Sequence, residues 1–208
     1  MNNAVAFHEN ETLKQALLRG AGIPVDTLGA DLTPELMELL GKLLASSLQG
    51  TIDLLAQRAL VRQEARADVT VVVVRNNNPL KFFPDSATVL TQMLRKKMPG
   101  FMEPLEALDD AQRDLSGHIK GVVAGARASM HSMMRRLSPA GLENQVPDAA
   151  GVDKLMPARR KAALWQLYKE EFKVCVGDGK DPFQGVLGPD FIAAYEKEVD
   201  ESHGGHHD

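Results

Sequence analysis

Apolar side chains recur at steps of three and four residues along most of this chain, a spacing typical of amphipathic α-helices. The clearest run covers residues 31–66, where Thr33 is a suitable N-cap and Pro34 suits the first helical position. Its apolar face consists of Leu36, Leu40, Leu43, Leu44, Leu48, Ile52, Leu55 and Ala59. The pattern predicts a long helix that turns this face toward a core.

Two glycines lie inside that predicted helix, and each costs roughly 1 kcal/mol in a helix interior. We expect Gly41 and Gly50 to allow a neighbouring helix to approach closely. The alternative is a break in the helix near Gly50.

A second long helix is predicted from about Glu103 to Leu137. Its apolar residues again fall at steps of three and four, and we expect them to face the core. They are Leu105, Leu108, Ala111, Leu115, Ile119, Val122, Ala126, Met130, Met133 and Leu137. Shorter helices are predicted at residues 12–22, 85–97, 142–146, 157–176 and 189–201.

The helical pattern fails at VTVVVV, residues 69–74, because β-branched side chains favour extended backbone. A single strand must pair with another segment or chain, or lie as a strap across helices, and we favour the strap. The sequence therefore predicts an all-α bundle of six to eight helices with one irregular extended excursion near residues 69–84.

The two ends of the chain look unlike its middle. Residues 1–10 are polar without a helical period and are predicted to be a flexible start or linker remnant. Residues 201–208 are predicted to be a disordered His-rich tail. A single helical domain is expected between them, over residues 11–200.

Composition is ordinary for a soluble globular protein, with 44% hydrophobic and 25% charged residues among 208. The net charge of −4 gives no reason to expect nucleic acid or an anionic membrane as a partner. We find no apolar run long enough to cross a membrane and no secretory signal pattern. The single cysteine excludes an internal disulfide and suits a reducing compartment, so we expect a cytoplasmic protein.

Residues capable of catalysis do not form a recognisable constellation. Cys175 lies between two valines, and these apolar neighbours favour a buried structural cysteine over a catalytic thiolate. His118 and His131 are thirteen residues apart, too far to share a metal without other ligands. Adjacent acids such as Asp109 and Asp110 point in different directions from a helix, and we expect them to be solvated. We predict no catalytic residue, cofactor or metal site.

Basic residues cluster at the start of the helix predicted from residue 157. Positive charge in a first turn opposes the helix dipole, which suggests ion pairs or an acidic partner. The residues are Arg159, Arg160 and Lys161. A solvated, partly paired helix face is the alternative.

The most irregular stretch is RNNNPLKFFPD, residues 75–85. Asparagines 76–78 are suited to a turn, and Pro79 pushes the preceding residue toward extended backbone. We expect Leu80, Phe82 and Phe83 to bury their side chains and anchor the excursion to the bundle. Lys81 is expected to face outward or to pair with an acid.

A partner-docking loop is the alternative role for this stretch, since loops on a rigid scaffold often carry function. The residues predicted to contact a partner are Asn76, Asn77, Asn78, Lys81, Arg159, Arg160 and Lys161.

The order of motifs provides a family resemblance. NNPLKF at residues 77–82 is followed by a Pro-Gly break, a long helix, a Ser-Pro-x-x-Leu-Glu step and ARRKAALWQLYKEEF. This order resembles the C-terminal domain of the FHA-domain-containing accessory proteins of type VI secretion systems (the TagH, ImpI or VasC class). The resemblance extends from about Thr12 to about Glu198.

The resemblance implies a cytoplasmic, non-enzymatic component that assists or regulates assembly of the secretion apparatus. It implies other secretion components as partners, either baseplate or membrane-complex proteins. In the family a forkhead-associated (FHA) domain reads phosphothreonine. Only about ten residues precede the first predicted helix here, so we expect either an isolated C-terminal fragment or a natural form without that module. No residue of this chain is assigned to phosphothreonine.

A second hypothesis is a helical enzyme or small-ligand-binding domain whose site is assembled from distant residues. It predicts a deep polar pocket with strongly shifted pKa values. The sequence leaves the identity of the partner and the oligomeric state open.

Overall fold

A computed structural model describes residues 2–24, 26–27, 32–64, 77–95, 99–146, 157–176 and 188–204. These ranges contain eight helices, and we number them in chain order. They are α1 (Asn2–Ala21), α2 (Pro34–Glu64), α3 (Pro79–Phe82), α4 (Ser86–Leu94), α5 (Pro104–Arg136), α6 (Pro139–Glu143), α7 (Pro157–Val176) and α8 (Pro189–Gly204). The predicted all-α bundle is confirmed. The predicted extended segment 69–74 lies outside the described residues.

Side-chain caps begin the helices where the sequence predicts them. The backbone N–H of Leu36 donates to the Thr33 hydroxyl at the start of α2, at 3.2 Å. The Asp85 carboxylate accepts from the backbone N–H of Thr88 in α4, at 2.8 Å. Each cap satisfies an amide that has no partner within its own helix.

The terminal helices are longer than the sequence predicts. Helix α1 begins at Asn2, whereas the apolar spacing becomes helical only from Thr12. It ends at Ala21, and Gly22 follows with a positive φ of 68°, a conformation in which glycine has no steric penalty. Helix α8 continues through Gly204, so residues 201–204 form its last turn instead of a disordered tail. Residues 205–208 lie outside the described ranges.

The first core lies where α2, α3, α4 and α5 meet. Its buried residues come from all four helices and are Leu48, Ile52, Leu55, Leu80, Val89 and Ala111. Phe83, Leu90 and Met93 pack against this cluster from its edge. Only the second half of α2 contributes, so the predicted apolar face of α2 is buried from Leu48 to Leu55 and exposed at Leu43 and Leu44.

The second core joins α5 to α8, which run antiparallel. Phe191, Tyr195 and Val199 of α8 are buried against α5. A side chain added at Gly125 would meet the Phe191 ring at 2.6 Å, and one added at Gly121 would meet the Tyr195 ring at 2.7 Å. The helices therefore touch because α5 has no side chain at these positions.

The predicted core face of α5 is partly wrong. Leu105, Ile119 and Met130 are exposed, whereas Ala107, Ala111 and the glycines face inward. Small residues let α8 approach closely, and that contact fixes the rotation of α5. Leu105, Ile119 and Met130 consequently remain exposed.

The predicted role of the α2 glycines is also wrong. Among the residues that the structure describes, nothing outside their own helix lies within 4 Å of a side chain added at Gly41 or Gly50. The helix is continuous through Gly50, so the alternative of a break there is excluded as well. Close approach occurs instead at the glycines of α5.

Candidate functional site

Backbone hydrogen bonds at Asn77 join the start of the 77–83 motif to residues 100–102, just before α5. Its N–H donates to the Gly100 carbonyl at 2.8 Å, and its carbonyl accepts from Met102 N–H at 3.0 Å. These bonds form a short parallel bridge between Asn77 and Phe101. Asn77 thereby ties the entry of α3 to the segment that leads into α5. The neighbouring candidate, Asn76, lies outside the described residues.

Asn78 is a buried structural residue, only 5% exposed. Its side-chain oxygen accepts from Leu80 N–H at 2.9 Å and so caps α3. Its amide nitrogen donates to the Ala107 carbonyl at 2.7 Å and to Asp110 Oδ2 at 2.8 Å. All of these bonds join α3 to itself or to α5, so Asn78 holds the two helices together.

The predicted anchor at residues 80–83 is correct for two of its three side chains. Leu80 is buried in the first core, and Phe83 packs against it. Phe82 is 60% exposed, contrary to the prediction. It rests edge-on against Phe83 and Phe101, with ring centroids 5.2 and 5.5 Å away. Because α3 is a single turn, its apolar residues cannot all face the same core.

Lys81 pairs with acids, one of the two outcomes expected for it. Its ammonium lies 2.7 Å from a carboxylate oxygen of Asp110 and 2.7 Å from Oδ2 of Asp114. Arg58 of α2 contacts the same Asp114 oxygen at 3.2 Å, and Nε2 of His203 in α8 lies 2.6 Å from the other. Four helices therefore meet at one carboxylate.

Asp114 stays ionised despite its burial, with a side chain only 4% exposed. Burial raises its pKa, but the Lys81 ammonium, the Arg58 guanidinium and the hydrogen bond from His203 outweigh that effect. The net result is a pKa below the ordinary carboxyl value. A buried charge of this kind is stable only while its partners remain in place.

A second polar contact holds α8 beside this junction. His118 Nδ1 of α5 and the Tyr195 hydroxyl of α8 lie 2.9 Å apart. Burial lowers the pKa of His118, and the nearby charges of Arg58 and Arg62 lower it further. Burial also raises the pKa of Tyr195. Both shifts favour a neutral imidazole beside a neutral phenol.

The basic turn predicted to meet a partner lies at the start of α7. Arg159 and Lys161 are exposed and Arg160 is half-buried. Both arginines interact with other groups of the protein. Helix α7 packs against α6, while the 77–83 motif packs against α2, α4 and α5. The two predicted contact regions thus have different neighbours in the fold.

A family model described as the C-terminal domain of Type VI secretion system FHA protein matches residues 19–198. The chain belongs to this family. The resemblance predicted from the order of motifs is confirmed. A search of curated proteins and a search of solved structures each found no match.

The geometry of the junction gives NNPLKF a structural role in this type VI secretion domain. Asn78 supplies a cap and two bonds to α5, Leu80 enters the core, and Lys81 pairs with two carboxylates of α5. Replacing Asn78 or Lys81 would leave their polar partners on α5 unpaired, and a smaller side chain at Leu80 would leave a cavity in the first core. The motif thus forms the contacts that pack α3 on α5.

The sequence did not indicate which residues would surround Lys81 and Asp114 in the charged junction. Asp110 was expected to be solvated, and His203 was placed in the tail. The detectable signal is the spacing of Asp110 and Asp114, which are four residues apart and therefore share a helix face. That face also carries Ala107 and Ala111, which are buried. No local pattern shows that Arg58 joins them.

A small cleft opens beside the motif. It has a volume of about 80 Å³ and is lined by Pro79, Gln92, Met93, Arg95, Phe101, Met102, Glu103 and Pro104. Ligand pockets usually measure roughly 300–1,000 Å³, so this cleft is too small for a typical cofactor. Within the described ranges, no three metal-ligating side chains are grouped. No helix of the described residues is long and apolar enough to cross a membrane.

Proposed function

We propose that this domain is a non-enzymatic scaffold that assists assembly or regulation of a bacterial type VI secretion system. The observation that carries the proposal is the family match, which covers residues 19–198 in a chain of 208. The domain would act by binding other components of the apparatus, either baseplate or membrane-complex proteins.

The use of polar residues in the fold supports a binding role over catalysis. Lys81 and His203 each pair with the buried carboxylate of Asp114. Groups engaged in this way hold helices in place and are not directed at a substrate. The cleft of about 80 Å³ gives the alternative, an enzyme or small-ligand binder, no specific support.

Exposed apolar side chains also support a binding role. Large ones occur on α2, α5 and α7 and include Met37, Leu39, Leu43, Ile119, Met130, Met134, Trp165 and Phe172. Scattered exposed apolar residues are normal, but series of them along one helix are typical of protein contacts. A scaffold that contacts several components would expose such series on separate helices.

We place this function in the bacterial cytoplasm, at the inner-membrane face where partners recruit the domain. Co-purification of the tagged domain from cells with an active secretion system tests the proposal. We expect baseplate or membrane-complex subunits to co-purify, and secretion to fall when the domain is deleted. Normal secretion after deletion, together with no such partner, would contradict it.

A destabilised variant provides the control for that experiment. Leu80→Asp places a charge in the first core and should unfold the domain. Lys42→Ala changes an exposed residue of α2 and should preserve the fold. Co-purification should be lost with the first variant and retained with the second, since the proposed binding requires the folded domain.

A further inference from the structure

Helix α5 has an outward apolar stripe on the side opposite α8. Ile119, Met130 and Met134 in this stripe are 65%, 64% and 68% exposed, and Val123 lies between them. At a rise of 1.5 Å per residue, the stripe from Ile119 to Met134 is about 22 Å long. A straight apolar stripe of this length is unusual on a solvated helix.

The apolar residues follow a heptad spacing. Steps of four and three residues alternate through the series Ile119, Val123, Ala126, Met130, Met133 and Leu137. This alternation keeps apolar side chains on one seam, as in helices that pack along a second helix. The seam is therefore suited to a helical partner lying along α5.

Cations border the seam on one side. Arg113, Lys120 and Arg127 are spaced by seven residues and are all exposed. We name these three residues the basic rail. From Arg113 to Arg136 the only acidic residue in the sequence is the buried Asp114. The described residues contain no ion pair between the basic rail and a carboxylate.

The other side of the seam is largely apolar, and its one cation, Arg136, pairs with Glu171 of α7 at 2.8 Å. Leu115 packs against the first core there, and Val122 packs against the second. The surface therefore combines an apolar centre, one apolar flank and one basic flank. This asymmetry indicates both the kind of partner and its charge.

We propose, on the basis of the interaction role proposed above, that the α5 seam binds an amphipathic helix of another protein with acidic residues along one flank. The apolar face of that helix packs on Ile119, Val123 and Met130. Its acidic flank pairs with the basic rail, at the heptad spacing that governs charge pairing between helices. The acids add orientation and partner choice to the apolar contact.

A second copy of α5 fits this surface less well. In an antiparallel pair the two basic rails face each other, and in a parallel pair each rail faces an apolar flank. Neither arrangement neutralises the cations.

A bilayer surface favours cations on both sides of a broad apolar face, whereas one flank of the α5 seam packs against the core.

Two synthetic helical peptides of about three heptads test this surface on the intact chain. Both carry leucines on the seam, and they differ only in having Glu or Lys at the flanking heptad position. Fluorescence anisotropy measures their binding. We expect the Glu peptide to bind at least tenfold more tightly at low salt, with the difference shrinking as ionic strength rises.

Charge reversal in the protein supplies the matched test. Lys120→Glu combined with Arg127→Glu should remove or invert the preference for the Glu peptide, while Met130→Asp should weaken both peptides. Lys197→Glu should change nothing, because Lys197 is an exposed residue of α8, the helix on the opposite face of α5. Circular dichroism should show equal helicity in all variants.

Three outcomes would overturn the inference. One is equal binding of the two peptides, or a preference that survives reversal of the basic rail. Another is self-association disrupted by Met130→Asp in sedimentation, without peptide binding, which assigns the seam to a second copy. The third is rail-dependent binding to phosphatidylglycerol vesicles without peptide preference, which assigns it to a membrane.

The secretion phenotype separates this inference from the proposed function. If deletion of the domain stops secretion but the seam variants secrete normally and show no peptide preference, only the inference fails. If the peptide preference holds while deletion leaves secretion unchanged, the proposed function fails and the binding surface stands.

Discussion

Asp114 links more of the fold than any other single residue of the junction. It receives Arg58 from α2, Lys81 from α3 and His203 from α8, while its own backbone belongs to α5. Its carboxylate is buried, so water cannot solvate its charge when a partner leaves. We therefore expect the stability of the bundle to depend on this charge.

Asp114→Asn should destabilise the domain by about 3–5 kcal/mol, because it leaves the buried Arg58 without its counter-charge. Urea unfolding measures the loss. Glu38→Gln removes the exposed pair with Lys42 and should change stability by less than about 0.5 kcal/mol. Similar small losses in both variants would contradict the role given to Asp114.

The pH dependence offers a second measurement of the same charge. Because the pKa of Asp114 is lowered by folding, its contribution is complete above the ordinary carboxyl pKa near 3.9. The contribution is lost as pH falls through the lower folded value. Asp114→Asn should consequently show a shallower loss of stability in acid than the wild type.

His118 should affect stability at a higher pH. Burial first, then Arg58 and Arg62, lower its pKa in the folded state, so the unfolded chain binds the proton more readily. Stability should therefore fall as pH decreases from about 6.5. His118→Gln should reduce the difference between urea midpoints at pH 7.5 and 5.5. An unchanged difference would contradict the assignment of this pH dependence to His118.

The aromatic and aliphatic residues of the motif make unequal contributions. Leu80→Ala should cost about 2–5 kcal/mol, because Leu80 fills the first core. Phe82→Ala should cost about 1 kcal/mol or less, because only ring-edge contacts are lost. Thermal unfolding of both variants distinguishes the two, and a larger loss for Phe82→Ala would contradict the observed exposure.

The sequence predicted part of this arrangement at the residue scale. The cap at Thr33 followed from side-chain chemistry that acts within a few residues, and so did the start of a helix near residue 85. The pairing of Lys81 with an acid was one of two expected outcomes, but its partners lie 29 and 33 residues further along the chain. Contacts over such separations depend on tertiary packing, which no local pattern encodes.

At the scale of elements, α5 is a helix with two different faces. Its inner face is made of small residues against α8, and its outer face carries the large apolar side chains. Counting apolar residues assigned the large ones to the core, because glycine contributes little to an apolar pattern. The rotation of α5 is set instead by the closeness of α8.

Glycine substitutions test this packing directly. Gly125→Ala should destabilise the domain by about 1–3 kcal/mol, because its new side chain would lie 2.6 Å from the buried Phe191 ring. Gly50→Ala should stabilise it by about 0.5–1 kcal/mol, since no described residue lies within 4 Å of the added methyl group and alanine favours helix. Thermal unfolding compares the two, and stabilisation by both would contradict the close contact of α5 and α8.

At the scale of the whole molecule, family membership supports a role in type VI secretion, and the binding role proposed above draws on the exposed apolar surface. The basic rail is not apparent from the net charge of −4, because acidic residues elsewhere in the chain outnumber the basic ones. The sequence identified the family through NNPLKF and the α7 motif, but the residues most suited to a partner emerged only with the orientation of α5. The motif supports the fold, and the exposed face of α5 is available for contacts.

Photo-crosslinking in cells with an active secretion system tests the central claim most directly. A photoreactive residue replaces Met130 on the seam, and a matched control replaces Gly50 on α2. We predict that the Met130 probe captures another subunit of the type VI secretion apparatus, and that reversal of Lys120 and Arg127 abolishes the product. Normal secretion with no captured secretion subunit at either position would contradict the account.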